Sequence, residues 1–296
     1  MPPKKKKNQQ DSLSTKELAR EYGFGWKFFK NDPELWDLLQ EATKGNWTDT
    51  RFVAKFKATK WYKKHGETYR TNMGLKFTDP ASYRERLTTT RSMVNNLAGQ
   101  WGARLTDREL DKYSERAFML GWDEGQILNI IAKEVTPGRG GHYGGELSGI
   151  ESQLRQTAAA NGITLNKNQT KTWMRQIVRG EADVRTYDSY IRDLAAKTFS
   201  AYGQEIKAGM NVVDVASPYV QSMASILELN PTSVGMDDRT IRKAMTHRNE
   251  KGEAQPMSIA DFEDSLRGDK RWQYTDQAHE QMQGYAIEMG KMWGVL

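Results

Sequence analysis

The chain has 296 residues, of which 37% are hydrophobic and 28% charged, with a formal net charge of +6 and no cysteine. The missing thiols exclude disulfides, thiolate metal ligands and a cysteine nucleophile, and with no run of about 18 apolar residues, no membrane span is expected. Nine Trp, twelve Tyr and nine Phe exclude a chain too poor in apolar area to fold, while a mean hydropathy of -0.80 implies a thin core completed by a large polar surface or by partners.

Charge is unevenly spread. Lys4 to Lys7 contribute +4, and Arg51 to Lys76, with eight basic residues against Glu67 alone, contribute +7. The remainder of the chain is therefore at -5. The basic character belongs to two patches and not to the whole surface, which argues against a uniformly nucleic-acid-coating protein. Residues 1–12 read as a solvated, disordered basic tail without the apolar stretch a secretory signal needs.

In chain order, Ser14 and Glu17 form a capping box for a short helix over Thr15 to Tyr22. Phe24, Trp26, Phe28 and Phe29 then cluster in a loop or turn. Asp32-Pro33-Glu34 starts a helix whose stripe is Leu35, Trp36, Leu38, Leu39 and Ala42, stopped by Gly45. Thr48 or Asp49 starts a third, with Phe52 and Phe56 on one face. Asp79-Pro80 starts a long helix carrying Tyr83, Leu87, Met93, Val94 and Leu97. Few β-branched runs occur, and the expected fold is all-α, with roughly ten to twelve helices.

From residue 98 the pattern repeats. Ala98-x3-Gly102-x2-Leu105-Thr106 matches Ala158-x3-Gly162-x2-Leu165-Asn166, sixty residues later. Tyr113 and Trp173 follow at equal distance, then Gly121 and Gly180, then another amphipathic helix. A glycine C-cap followed by an N-cap is the grammar of a helical hairpin, and we read an internal duplication of such a unit; convergent capping is the alternative. A looser echo relates Phe52, Phe56, Lys57 and Trp61 to Phe262, Leu266, Arg267 and Trp272. Between the repeated units, residues 137–147 form a glycine-rich linker, splitting the chain near residue 142 into an N-terminal helical half, 13–136, and a C-terminal half, 148–296. Further breaks are expected at Ser217-Pro218, at Asn230-Pro231 and over Asn249 to Pro256.

Chemical motifs are sparse. Gly138 to Gly145 lacks the lysine and the preceding strand of a phosphate-binding loop and reads as a linker. Glu151-Ser152 has the form of the helix-borne Glu-Ser pair of lytic transglycosylases, but Gln153-Leu154-Arg155-Gln156 is unlike the Gly-Leu-Met-Gln type of stretch that those enzymes carry shortly after the pair. Glu151 then reads as a first-turn helix acid. His65, His142, His247 and His279 are not at metal-ligand spacing, so neither a metal nor a cofactor is expected and no catalytic residue is assigned. The Arg51–Lys76 segment interleaves lysines with rings. Lys55, Lys57, Lys60, Lys63 and Lys64 are candidate nucleic-acid contacts if Phe52, Phe56, Trp61, Tyr62 and Tyr69 stack bases. The competing reading turns the rings inward and leaves the lysines in water.

Several segments are similar to a family of uncharacterised minor structural, minor-tail-type proteins of tailed actinobacterial phages. They are Asp32-Pro33-Glu34-Leu35-Trp36, Lys60-Trp61-Tyr62, Phe118-Met119-Leu120-Gly121-Trp122, Pro218 to Met223, Ile226 to Pro231, Thr240 to Ala244, and Leu266-Arg267 with Arg271-Trp272. The resemblance covers nearly the whole chain after residue 30. It implies a non-enzymatic virion protein of the tail, neck or ejected contents. Its partners would be other virion proteins, with phage DNA as a further contact, and virion assembly would set its oligomeric state. The alternative is a virion-associated factor acting on peptidoglycan or contacting DNA.

Overall fold

The computed structural model describes residues 25–294. The expected helix over Thr15 to Tyr22, the tail and Lys4 to Lys7 lie outside them. Among the described residues the secondary structure is helical throughout, with sixteen α-helices, three 3-10 turns and no strand beyond one isolated bridge, Arg248 with Ala254. The all-α expectation is met, but the count exceeds ten to twelve. The surplus comes largely from helices of five to seven residues, too short for apolar periodicity to mark.

The described residues divide into two compact units between Glu146 and Leu147. Unit 1 holds α1 (Trp26–Lys30), α2 (Pro33–Gly45), α3 (Asp49–Ala58), α4 (Lys60–Lys64), α5 (Glu67–Thr78), α6 (Pro80–Gln100), α7 (Asp107–Leu120) and α8 (Glu124–Glu134). Of the aromatics expected in a loop or turn, Phe24 lies outside the described residues and Trp26, Phe28 and Phe29 are in a helix; Phe28 and Phe29 project from α1 into a core with Leu35, Leu39, Phe52 and Phe56. Asp32 caps α2 through the Leu35 N–H, and Thr48 caps α3 through the Arg51 N–H. The residue that ends α2 in a left-handed conformation is Asn46, φ 47°, one past the expected Gly45. Each large apolar side chain fully buried here stabilises the unit by about 1.5–3 kcal/mol.

The α5 helix was not expected. Its apolar residues Tyr69, Met73, Leu75 and Phe77 do not form one stripe, and none of its residues is fully buried. It is fixed by contacts to α6 and α7, including Asn72 Nδ2 donating to the Phe118 carbonyl at 2.7 Å. Residues 137–145 follow an ordered course within unit 1. Tyr143 is buried, the Gly138 N–H donates to the His142 carbonyl at 2.8 Å, and Gly144 and Gly145 lie against the Gln100–Gly102 turn. A Cβ on Gly102 would overlap the Gly144 carbonyl, and one on Gly145 would overlap the Gln100 carbonyl.

Unit 2 holds α9 (Glu146–Ala160, entering at its second residue), α10 (Lys167–Val178), α11 (Val184–Thr198), α12 (Gly203–Lys207), α13 (Val212–Ile226), α14 (Arg239–Met245), α15 (Ile259–Arg267) and α16 (Asp276–Met292). Phe199, Ile206, Met223, Ile241, Phe262 and Leu266 form its core. Tyr219 packs edge-on to Phe262 and donates its hydroxyl to the Met257 carbonyl at 2.6 Å. The expected break at Ser217-Pro218 does not occur, because α13 runs through Pro218. A proline here forfeits one backbone hydrogen bond, but buried Ala216, Tyr219 and Met223 anchor both sides of it.

The two segments compared in the sequence share local geometry. Gly102 and Gly162 are left-handed at φ 67° and 63°, and Gly121 and Gly180 at 64° and 69°. After the first pair, the Ala103 and Ile163 N–H groups donate back to the Ala98 and Ala158 carbonyls, both at 2.8 Å. Thr106 and Asn166 then cap the second helices, and Asp123 and Asp183 cap the third.

Candidate interaction surfaces

The five candidate lysines lie on α3 and α4, and all are exposed. Lys60, Lys63 and Lys64 share one side of α4 by their spacing of three and four. None of the five makes an ion pair among the described residues. The rings between them turn the other way. Phe52 and Phe56 are buried and stacked with centroids 6.2 Å apart, and Trp61 and Tyr62 lie partly buried against the same core. Tyr69 stacks on His65 at 4.3 Å. The remaining basic groups are engaged: Arg51 covers the Trp47 ring, Arg70 the Tyr62 ring, and Lys76 pairs with Glu115 at 3.0 Å. The segment therefore offers charge without a stacking platform built from Phe52 and Phe56.

Glu151 is only 2% exposed, on the second turn of α9. Its Oε1 accepts from Arg155 Nε at 2.9 Å and Nη2 at 2.7 Å. A general acid of glycoside hydrolysis has to face a substrate cleft; this carboxyl is buried against Arg155. The cleft beside it, about 450 Å³, is lined by Arg155, Gly162, Met236, Asp237 and Arg242, and not by Glu151. Arg242 spends Nη1 on the Gly162 carbonyl at 2.9 Å and covers the Phe199 ring.

A second cleft, about 300 Å³, lies in unit 1 and is walled by charged groups that satisfy one another. Lys76 bonds Glu115, and Arg91 pairs with Asp111 at 2.7 Å and Asp107 at 3.2 Å. Burial is the largest single influence on Lys76 and opposes its charge, but the bond and attraction to Glu115 together with those to Tyr83 outweigh it and raise its pKa. These bonds tie α5, α6 and α7 together. Nearby, Tyr113 donates to Glu134 at 2.6 Å, which together with burial pushes its hydroxyl up to about 12. No group of three or more histidine, aspartate or glutamate side chains placed to hold a metal occurs among the described residues, and no described helix is long and apolar enough to cross a membrane.

The surface that departs most from an ordinary solvated face is α16, which no sequence motif singled out. Its base is held: Thr275 and Ala278 are buried, and the Glu228 carboxylate accepts from the Asp276 and Gln277 N–H groups. Beyond Ala278 every described residue except Gly290 is exposed, among them Met282, Tyr285, Ile287, Met289, Met292 and Trp293. Large apolar side chains exposed in sequence on one helix mark a surface made to be covered.

No protein-family model, curated protein or solved structure matches this chain.

Proposed function

We propose that this protein acts through protein–protein assembly, as a non-enzymatic structural component of a tailed-phage virion in the tail, neck or internal contents. The observation that carries the assembly role is the apolar length of α16 that stands exposed among the described residues. The virion setting comes from the resemblance of the segments between Asp32 and Trp272 to minor structural proteins of such phages. A thin core and a long exposed apolar helix suit a subunit whose burial is finished by its neighbours. Mass spectrometry and imaging of purified particles test this reading: the protein is expected in washed virions at a defined location. Its absence from them would overturn it.

The alternating caps at Gly102, Thr106, Gly121 and Asp123, matched by Gly162, Asn166, Gly180 and Asp183, support our reading that α6–α8 and α9–α11 descend from one duplicated unit. Tyr113 bonds Glu134 on the following helix, and Trp173 stacks on Tyr187 on its following helix at 4.5 Å, so the equivalent aromatics do equivalent packing.

The five exposed lysines favour contact with phage DNA as a second reading. Such contact would be indifferent to sequence and steeply salt-dependent. Binding of duplex DNA that survives replacement of Lys55, Lys57, Lys60, Lys63 and Lys64 by glutamine, or that ignores salt, would remove it. Action on peptidoglycan draws no support from the geometry of Glu151.

A further inference from the structure

The exposed side of α16 has a spacing that ordinary amphipathic surface helices lack. Thr275, Ala278, Met282, Tyr285, Met289 and Met292 follow one another at intervals of three, four, three, four and three. That alternation is the 3.5-residue repeat of a helix–helix seam, in which each side chain inserts between four of a facing helix. At 100° per residue, Met282, Tyr285, Ala286, Met289, Met292 and Trp293 fall within an arc of roughly 120°. Asp276, Glu280, Glu288 and Lys291 fall outside it. The first two seam positions, Thr275 and Ala278, are buried at the base of the helix, and the seam continues beyond them uncovered.

We infer that α16 pairs with α16 of a second copy of this chain, seam against seam. Three observations select a second copy as the occupant. The repeat is that of a helical partner, and a surface with a 3.5-residue repeat is complementary to itself. The seam carries no charge; Asp276, Glu280 and Lys291 lie on the opposite side and Glu288 on one flank, so no like charges face each other across the seam itself. The area is also adequate. Met282, Tyr285, Met289, Met292 and Trp293 are 51%, 68%, 44%, 74% and 64% exposed. They present on the order of 600 Å², at the upper end of what a monomer leaves open and near the ~800 Å² a side of a standard interface. Methionine, flexible and polarisable, fills such a seam without demanding a single geometry. With fewer than two heptads uncovered, from Met282 to Trp293, the pairing is reversible and concentration-dependent.

This inference rests on the assembly reading but names its partner, and the test separates the two. The full chain is followed by analytical ultracentrifugation across concentration. The mass is expected to rise from 33.9 kDa toward twice that value. The Tyr285→Glu, Met289→Glu double variant, altered only at exposed positions, is expected to stay monomeric with an unchanged thermal midpoint. Because the chain has no cysteine, Tyr285→Cys is expected to give a disulfide-linked dimer on mild oxidation, and Glu280→Cys on the far face is not. A wild-type chain that is monomeric up to about 0.1 mM, or a dimer that survives the double variant, would overturn the pairing. If the monomeric chain is nonetheless found in virions and the double variant is lost from them, another virion protein covers α16; self-pairing then falls while the assembly role stands. A dimer broken by the double variant, in a protein missing from particles, would support self-pairing and remove the virion role instead.

Discussion

The carboxylate of Glu228 caps the helix that begins at Asp276: Oε2 accepts the Asp276 N–H at 2.8 Å and Oε1 the Gln277 N–H at 3.1 Å. Glu228 is itself left-handed, φ 53°, a conformation that costs a non-glycine residue about 1–2 kcal/mol. The chain thus bears local strain to aim a carboxylate at the positive end of α16. Glu228→Ala keeps the strain and loses the cap, and is expected to destabilise by about 1 kcal/mol. Glu228→Gly loses the cap but relieves the strain, and is expected to stay closer to wild type. Denaturant midpoints measure both, and hydrogen exchange over 276–292 should quicken in each. Slower exchange in either would contradict the role of the cap.

Arg271 ties the loop before α14 to the loop after α15, bonding Asp238 at 2.8 Å and Asp269 at 2.7 Å. The Arg271 bonds hold Asp269 below the usual carboxylate range. Burial pushes Asp238 upward, but Arg271 and the Thr240 N–H more than reverse it. A carboxyl whose pKa falls on folding adds stability that is complete above its unfolded value, about 4, and is lost as pH drops through the lower folded value. Arg271→Ala is therefore expected to cost about 1–2 kcal/mol at pH 7, allowing for partial exposure. The gap to wild type should narrow as pH falls below about 4 and through the lowered folded values. Thermal midpoints across pH 2–8 check it, and a gap that persists in acid would refute it.

Arg155 is half exposed while its partner Glu151 is buried. Arg155→Ala removes two hydrogen bonds from the buried Glu151 carboxylate and is expected to cost about 1–3 kcal/mol. Adding Glu151→Gln to that variant should restore part of the loss, whereas two independent sites would simply add. The same Glu151→Gln change is expected to leave any clearing of a peptidoglycan gel as it was. Loss of clearing at unchanged stability would instead assign the carboxyl a chemical role.

Gly102 and Gly180 are both left-handed, but only Gly102 is crowded. A side chain at Gly180 meets open space, while one at Gly102 meets the Gly144 backbone. Gly180→Ala is expected to cost about 1–2 kcal/mol from conformation alone. Gly102→Ala should cost about 1–3 kcal/mol more for the overlap. Equal losses in chemical denaturation would mean that the close approach carries no energy.

What could be read from the sequence was what depends on near neighbours. The N-caps Asp32, Thr48, Asp79, Thr106 and Asn166 each accept a backbone N–H, because a cap needs only residues two or three along. The inward turn of Phe52 and Phe56 followed from their spacing of four. What escaped depends on distant neighbours. Helix α5 has no dominant face, and the packing of α6 and α7 makes it a helix; α13 carries Pro218 because buried neighbours hold both of its sides. The seam on α16 lies in the spacing of Met282, Tyr285, Met289 and Met292, with glutamines and Gly284 set among them. Only its exposure distinguished it.

The close approach of Gly144 and Gly145 to the Gln100–Gly102 turn also orders events in time. Because the chain leaves the ribosome from its amino end, the α6–α7 hairpin is synthesised well before the residues that lock its turn. Unit 1 can acquire its helices early, but its turn stays open until the glycine-rich stretch emerges, and fastening it requires closing a long intervening loop. A fragment ending at Thr136 would contain every helix of unit 1 and lack its clasp.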